Sequence, residues 1–380
     1  AWDSVTLMKN YTQKTVEDFD KPLLCYLGDT ALSVNFGEPI HLHQYLDKAN
    51  PNWLEEKGSI DERPEWFTNA VNQLSTEIAT RINSAAALNP INLTALVLLS
   101  TQRQAMDAKV LANLMTLFAS LIKAMPYSDY MTFAEGDGTE WLNYAEQMGL
   151  VERQSNALGD IIALRDRNAI LLTYNRNNIL HFFAVPALIA SLVHNNNRVS
   201  KDKVHELFRS IYPYIKAELY LKWDSDDIDG IFEGWLDVLV QQKLLSLDGE
   251  DIIRPEIGSS LFVRLSVLAR FIMPTLERYY IAIAVLTRQG SGKIDAGQLE
   301  EESTQMAERM SILFGLNAPE FFDKSLFRNF IGKLQEKAIL QEDKQGKLTF
   351  DKQVAQVADD AKLVLNAELR QAILQVTSLQ

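Results

Sequence analysis

The sequence predicts a mainly α fold with a minor α+β component, built from tandem winged-helix-like helical repeats with short hairpins. Two observations support this prediction. Long segments place apolar residues at the three- and four-residue spacing of one helix face. In addition, a pattern of two helices followed by two short strand-like runs recurs along the chain. The 380 residues are 47% hydrophobic, which is typical of a packed globular chain of two or three domains.

The chain is acidic, with a formal net charge of −13. Broad binding to nucleic-acid phosphates needs clustered Lys and Arg, so this charge argues against a nucleic-acid partner. It also argues against an anionic membrane surface held by overall charge, although it leaves a local basic face open. The single Cys25 excludes an intrachain disulfide and a multi-Cys metal site. We predict no cofactor and no metal.

The sequence has no apolar run of about 18 residues, the length that spans a bilayer as a helix. The first residues also lack the basic start and apolar run of a signal peptide. We therefore expect no transmembrane helix, and any membrane contact is expected to be peripheral.

The first part of the chain predicts two strands and a long helix. Leu23–Leu27 is the first strand, and the second runs from Val34 into the turn at Gly37-Glu38-Pro39. Residues 51–100 are assigned to linking helices, among them an amphipathic helix from Trp66 to about Ala87. Its apolar positions share one face, and they are Trp66, Phe67, Ala70, Val71, Leu74, Ile78 and Ile82.

Three segments, residues 101–195, 196–289 and 290–380, share the repeated pattern. Leu150, Leu245 and Leu340 hold matching positions, because 245 − 150 and 340 − 245 are both 95. The strand-like runs that follow are Asp160–Leu164, Gly249–Ile253 and Gly346–Phe350. Each unit then continues with a helix, predicted at Ile179–Val193, Ser260–Thr287 and Lys352–Leu379.

Two helices and a hairpin are the layout of a winged-helix unit, whose usual partner is DNA. The second helices of the first two units, Thr139–Gln147 and Ile228–Asp237, are acidic, and only that of the third, Ser325–Lys337, is mildly basic. An acidic helix is repelled by a phosphate backbone. We therefore interpret the units as protein-packing modules.

The stretch Leu171–Val193 organises the middle of the chain. An apolar run that ends a strand is followed by a polar segment, and a buried apolar helix then begins at Ile179. Polar groups beside a buried helix need partners. We interpret them as candidates for a contact between domains, with an anionic ligand as the alternative. The candidates are Tyr174, Arg176, Asn177, Asn178 and His181.

The pattern Tyr174-x-Arg-Asn-Asn-x-x-His181 before an apolar helix resembles the bacterial glycerol-3-phosphate acyltransferases of the PlsB type. Further segments that resemble this family follow in the same order: Val34–Ile40, Pro126–Ser128, Gly159–Ile161, Tyr212–Pro213, Lys216–Leu219 and Gly315–Lys324. The resemblance begins near Leu32, and residues 1–31 do not match. It implies that residues 1–50 contain the tail of an α/β acyltransferase domain, with the family motif at Asn35, Gly37, Glu38 and Pro39.

The resemblance also implies an activity for the full enzyme. That enzyme transfers an acyl group from acyl-CoA or acyl carrier protein to glycerol 3-phosphate, at the cytoplasmic face of a bacterial inner membrane. The family uses a His-x-x-x-x-Asp motif as its general base, and none of the five histidines here has an Asp at that spacing. His43 and Asp47 are four residues apart, as in an ordinary helical pair.

We therefore predict no catalytic residue in this chain. We expect a region that supports or regulates the catalytic acyltransferase domain and is inactive alone. Two alternatives stay open, a stand-alone interaction module and a nucleic-acid binder.

Overall fold

The computed structural model describes most of the chain between Leu23 and Asp351. The described ranges are 23–27, 30–35, 37–54, 64–101, 103–164, 169–314 and 319–351, together with Val354, Val364, Leu365 and 370–373. Within them the chain is mainly helical, as the sequence predicts. It forms two compact units, one of Ala1–Leu88 with Tyr127–Ala134 and one of Asn89–Pro126 with Glu135–Gln380.

The elements follow one another in a regular order. From the start to the middle they are β1 (Leu23–Leu27), β2 (Thr30–Val34), α1 (Leu42–Ala49), α2 (Glu65–Ser84), β3 (Ala87–Leu88), α3 (Pro90–Leu99), β4 (Ala105–Asp107), α4 (Ala108–Ala124), β5 (Thr132–Phe133), α5 (Gly138–Gln147), β6 (Val151–Gln154), β7 (Ile161–Leu164) and α6 (Ala169–His194). The rest are β8 (Arg198–Ser200), α7 (Lys201–Leu219), α8 (Ile228–Gln241), β9 (Ser246–Asp248), β10 (Asp251–Ile253), α9 (Ser260–Arg270), α10 (Met273–Gln289), α11 (Ala296–Phe314), a 3-10 turn (Pro319–Phe322), α12 (Lys324–Glu336), β11 (Gln341–Glu342) and β12 (Leu348–Thr349).

The first unit holds the β1–β2 hairpin, α1, α2 and a short parallel pair of β3 with β5. The predicted strand Leu23–Leu27 and the predicted long helix are both present. The helix ends at Ser84, before the predicted Ala87, because Ala87 and Leu88 pair with β5.

Part of the apolar face of α2 is exposed, whereas Ala70 on the same face is buried. Phe67, Val71, Ile78 and Ile82 have 40, 44, 44 and 65% of their surface in solvent. A helix turns about 100° per residue, so these four side chains fall within an arc of about 60°. We refer to these four residues as the α2 stripe.

The second unit contains the three repeated segments, and each has a helix pair followed by an antiparallel hairpin. The first gives a sheet in the order β4-β7-β6, and the second gives β8-β10-β9. In the third, the Leu348 N–H donates to the Ile294 carbonyl at 2.8 Å, so Ile294 takes the place of an opening strand. Val151, Ser246 and Gln341 begin the first hairpin strands and keep the predicted spacing.

Local chemistry explains where these helices begin. Asp107 accepts hydrogen bonds from the Lys109 and Val110 N–H groups, and Asp137 forms a capping box with Glu140. Gly138 allows α5 to approach α4, because a Cβ at this position would overlap the carbonyl of Ala112.

Helix α6 forms the centre of the second unit and packs against α3, α7, α8 and α9. Its aromatic contact joins α4, α6 and the break after α9: Phe183 lies 6.1 Å from Phe118 and 5.5 Å from Phe271, measured between ring centres. The predicted burial of Ile179–Val193 is confirmed.

The predicted start of this helix is wrong. Residues 171–178, expected as the end of a strand and a polar segment, are helical, and α6 begins at Ala169. Leu172, Thr173 and Arg176 are buried, so packing keeps the polar stretch in the helix.

The single helix predicted over Ser260–Thr287 is also wrong, because it breaks at Phe271 and Ile272 into α9 and α10. Pro274 cannot donate the helical hydrogen bond that would continue α9. The helix predicted at Lys352–Leu379 and the first four residues of Gly315–Lys324 lie largely or wholly outside the described residues.

Candidate functional site

The five candidate residues on α6 separate into an exposed and a buried set. Tyr174 is 69% exposed, and Asn177 and Asn178 are exposed beside it. Positions three and four apart share a face of a helix, so these three side chains point the same way. Arg176 and His181 are 7 and 2% exposed and point into the core of the second unit.

Arg176 forms a buried ion pair with Glu320 of the 3-10 turn. Its Nε and Nη2 groups also donate to Asn177 Oδ1, at 3.1 and 2.9 Å. Burial, and then the positive charge of Arg278, lower the pKa of Arg176 to about 10. The guanidinium therefore stays charged at neutral pH and fixes the 3-10 turn against α6.

Arg278 on α10 forms the second buried ion pair, with Glu218 on α7. Glu218 also accepts hydrogen bonds from Thr275 Oγ1 at 3.1 Å and from the Tyr279 hydroxyl at 2.9 Å. These three donors, Arg278, Thr275 and Tyr279, offset the hydration that the buried Glu218 carboxylate loses. Burial, aided by the Glu218 charge, raises the pKa of Tyr279 well above its usual value.

Arg176, Glu218, Arg278 and Glu320 together form what we call the buried charge cluster. It joins α6, α7, α10 and the 3-10 turn. Glu320 Oε2 is buried and has no hydrogen-bond partner in the described part of the chain. Each guanidinium is paired with its own carboxylate, so the cluster holds charges in place and joins elements that are distant in sequence.

Glu277 lies next to Arg278 and is mostly buried. Burial raises the pKa of Glu277 to about 8, and the charge of Arg278 opposes this shift. This carboxyl is therefore mainly protonated at neutral pH.

His181 packs in the core, with its ring centre 4.2 Å from that of Phe182. A histidine with 2% of its surface exposed is not accessible to a substrate in solution. Its role in this geometry is packing inside the second unit.

The family motif near the start of the first unit is held by α2. The Nη1 group of Arg81 donates to the carbonyls of Glu38 and Pro39, both at 2.9 Å. Asn35 Nδ2 donates to the Ala85 carbonyl at 3.0 Å and to Thr132 Oγ1 at 2.8 Å. Arg81 and Thr132 were missed by sequence reasoning, since neither belongs to a motif.

A Cβ at Gly37 would lie 3.3 Å from the Arg81 carbonyl, so this position favours glycine. The motif segment therefore lies closely against the end of α2. Glu38 adds an ion pair with Arg81 at 3.5 Å.

His43 and Asp47 both lie on α1, as predicted. Asp47 accepts a hydrogen bond from Trp53 Nε1 at 2.8 Å, and the His43 ring lies 5.5 Å from that of Trp53. These contacts fasten the turn after α1. In the described ranges, His, Cys, Asp and Glu form no group of three that could hold a metal ion.

Helix α6 has the length and composition of a membrane span. Leu171–His194 is long and apolar enough to cross a bilayer, but 83% of its most apolar window is buried inside the protein. Core helices of soluble proteins share this length and composition, so they are weak evidence for a span.

Buried ion pairs join helices and a 3-10 turn that are distant in sequence within the second unit. The sequence family described as the glycerol-3-phosphate acyltransferase C-terminal region matches residues 31–343. The chain belongs to this family.

Curated relatives carry the name glycerol-3-phosphate acyltransferase. The protein of Pseudomonas aeruginosa strain LESB58 is 46% identical over 344 residues, covering 90% of this chain and 41% of the relative. The Ectopseudomonas mendocina protein is 43% identical, covering 91% of this chain and 42% of the relative. The protein of Pseudomonas fluorescens SBW25 is 42% identical, covering 91% of this chain and 41% of the relative. The chain spans about two fifths of the length of these relatives.

Proposed function

We propose that this chain is the C-terminal region of a glycerol-3-phosphate O-acyltransferase and supports or regulates the catalytic domain of that enzyme. The whole enzyme would transfer an acyl group from acyl-CoA or acyl carrier protein to glycerol 3-phosphate. The product would be lysophosphatidic acid, in the first step of phospholipid synthesis. Family membership supports the activity, and the absent His-x-x-x-x-Asp spacing supports a role outside the chemical step.

The α2 stripe is the observation that carries this proposal. Four large apolar side chains on one helix face are exposed, and contiguous exposed apolar surface marks an interaction site. The stripe lies on the helix that holds the motif Asn35–Pro39, the segment that resembles the end of an acyltransferase domain. The catalytic domain is therefore the occupant that we assign to this surface.

The exposed part of α6 supplies a second contact surface. Tyr174, Asn177 and Asn178 present an aromatic ring and two amides, and Leu171 adds a side chain that is 54% exposed. A large amphipathic ring surrounded by amides is common at protein interfaces. Arg176 and His181 support this surface from inside, Arg176 through its bond to Asn177.

The three helix-pair and hairpin segments act in this proposal as winged-helix-like packing modules, at 101–195, 196–289 and 290–380. The sheet orders β4-β7-β6 and β8-β10-β9 support this assignment for the first two. The enzyme would work at the cytoplasmic face of the bacterial inner membrane, with this region attached peripherally.

Two assays of CoA release from palmitoyl-CoA and glycerol 3-phosphate test the proposal. The purified chain alone should release no CoA above background. A chimera in which residues 31–380 replace the matching part of the Pseudomonas aeruginosa relative should restore turnover. Turnover by the chain alone, or a folded chimera without activity, would overturn it.

A further inference from the structure

An apolar cavity lies in the second unit, between α7, α10, α12 and the pair Val364 and Leu365. It encloses about 80 Å³ and is lined by twelve residues, most of them aliphatic or aromatic. No Asp, Glu, Lys, Arg or His belongs to this lining, which consists of described residues only. The Val364 carbonyl accepts a hydrogen bond from Asn195 Nδ2 at 2.7 Å, which fixes this part of the wall. The cavity is therefore formed by parts of the chain that are distant in sequence.

The cavity has a buried floor and an open mouth. Leu207 on α7 and Ile283 on α10 line it with only 1% of their surface exposed. Along α7 the lining becomes more accessible, because Ile211 and Tyr214 are half-buried and Ser210 is exposed. A ligand can therefore enter from solvent past Ser210.

Aromatic rings form one side of the cavity. Tyr279 stacks on Phe330 with ring centres 4.2 Å apart and planes 8° from parallel, and Tyr214 meets Phe330 edge-on at 5.4 Å. The Tyr279 hydroxyl is already used, because it donates to Glu218 of the buried charge cluster. Water bound in a cavity needs several polar partners, so this lining favours hydrocarbon over water.

A positive charge stands at the rim of the cavity. Lys337 follows Leu334 of the lining by three residues, so the two side chains lie on one face at the end of α12. Lys337 is exposed, and its Nζ lies 6.0 Å from the ring centre of Tyr214, which also lines the cavity. The neighbouring Glu336 pairs with Lys333 at 2.7 Å, and no carboxylate of the described residues pairs with Lys337. The charge of Lys337 is therefore available to a ligand whose other end lies in the cavity.

We propose that this cavity binds a fatty acid, with the end of the hydrocarbon chain inside and the carboxylate at Lys337. The apolar lining selects the chain, because hydrocarbon gains by leaving water. The rim charge selects the anionic head, since a cation attracts a carboxylate. The lining holds no His, Asp or Glu to act as a base, so the ligand is bound and not converted. This inference does not depend on the acyltransferase assignment.

The size of the cavity favours a linear chain over a ring system. An engineered apolar cavity of ~150 Å³ takes up one benzene ring. The cavity here has about half that volume, so it admits the end of a chain while the rest of the chain lies along the mouth. The bound chain also packs against Tyr279, which holds Glu218, so binding should raise the unfolding temperature.

Isothermal titration calorimetry of the purified chain tests the proposal. Decanoate below its micelle concentration is the probe, decanol has a chain of the same length without the charge, and acetate has the carboxylate without the chain. We expect saturable binding of one decanoate per chain, binding of decanol at least about threefold weaker, and no binding of acetate. Decanoate uptake that does not saturate, or no uptake, would overturn the proposal. Equal affinity for decanoate and decanol would overturn the assignment of the carboxylate to Lys337.

Charge reversal tests the position of the head group. Lys337→Glu should weaken decanoate binding about fivefold or more and leave decanol binding unchanged, because only decanoate carries a charge. Lys344→Glu is the matched control, at an exposed position in the turn between β11 and β12, and should bind decanoate like the parent. An equal loss in both variants would show that net charge alone acts, and would contradict the assignment.

A substitution at the mouth tests the position of the chain. Ser210→Trp places a large ring at the entrance and should weaken decanoate and decanol binding at least about tenfold, whereas Ser210→Ala should keep both. Decanoate should raise the unfolding temperature of the parent and of Ser210→Ala, but not that of Ser210→Trp. A folded Ser210→Trp protein that binds decanoate like the parent would overturn the proposal. The two lysine variants keep the test decisive if Ser210→Trp does not fold.

Discussion

At the scale of single residues, the second unit depends on charges buried in its core. Arg176 and Glu320 have side chains only 8 and 15% exposed. Removing one partner of a buried ion pair costs about 3–5 kcal/mol, because the other charge stays buried and unpaired. We expect Arg176→Ala to lower the free energy of unfolding by about this amount in urea denaturation.

Arg198→Ala is the matched control for this prediction. Arg198 pairs with Asp248 through side chains that are 51 and 62% exposed, and exposed ion pairs contribute little to stability. If the two variants lost equal stability, burial would not explain the importance of Arg176.

A second residue-scale prediction concerns pH. The pKa of Glu277 is raised to about 8 in the folded chain, from a usual value near 4.5. Between these values the unfolded chain loses a proton that the folded chain keeps, so stability falls as pH rises through this window. Glu277→Gln should therefore unfold at a higher urea concentration than the parent at about pH 9, with a smaller gain at about pH 5.

Glu308→Gln, at an exposed position on α11, is the control and should not share this pH-dependent gain. A Glu277→Gln gain that is the same at both pH values would contradict a raised pKa.

Arg176 can be identified from the sequence because this residue belongs to a family pattern, but its ion-pair partner Glu320 cannot. Glu320 lies far along the chain, and its approach depends on how α6, α10 and the 3-10 turn pack. The buried and the exposed candidates could not be distinguished from the sequence, because α6 was predicted to begin at Ile179 and begins at Ala169.

At the scale of elements, the 95-residue repeat predicts the positions of the hairpins, whereas local apolar spacing does not predict the full extent of α6. The spacing between Leu150, Leu245 and Leu340 places all three hairpins, because it compares whole units. The extent of α6 was missed because Asn and Thr are weak helix formers, and burial of Thr173 and Arg176 overrides that preference.

The C-terminal ends of α5, α8 and α12, the second helices of the three repeated segments, give a prediction at this scale. The residue after each helix cap has a positive φ: 67° at Gly149, 59° at Lys243 and 57° at Ala338. This conformation costs an L-residue about 1–2 kcal/mol, and glycine avoids that cost but loses more entropy on folding. Ala338→Gly should therefore raise the free energy of unfolding by about 0.5–1 kcal/mol.

Gly149→Ala is the reciprocal experiment. A Cβ there would meet no atom within 4 Å, so its cost comes from the backbone alone. We expect thermal unfolding at a lower temperature for Gly149→Ala and a higher temperature for Ala338→Gly. A destabilised Ala338→Gly protein would contradict the account of these helix ends.

At the scale of the whole molecule, the mainly α class follows from periodicity, while the two-unit division does not. β5 joins the first unit by pairing with β3, although helices of the second unit separate the two strands in sequence. Periodicity also predicts the apolar face of α2, but it cannot show that this face is exposed. Apolar spacing on a helix looks the same whether the face meets its own chain or a partner.

The most direct test of the account is CoA release by the chimera with the α2 stripe altered. Ile78→Lys/Ile82→Lys places two charges in the stripe, whereas Gln73→Lys places a charge on another face of the same helix. Both substitutions are at exposed positions, so both proteins should fold, and circular dichroism checks this. We predict a loss of turnover of about tenfold or more in the stripe variant, since burying unpaired charge at an interface is costly, and near-parent turnover for Gln73→Lys. Equal turnover in the parent chimera and a folded stripe variant would contradict docking of the catalytic domain on this helix.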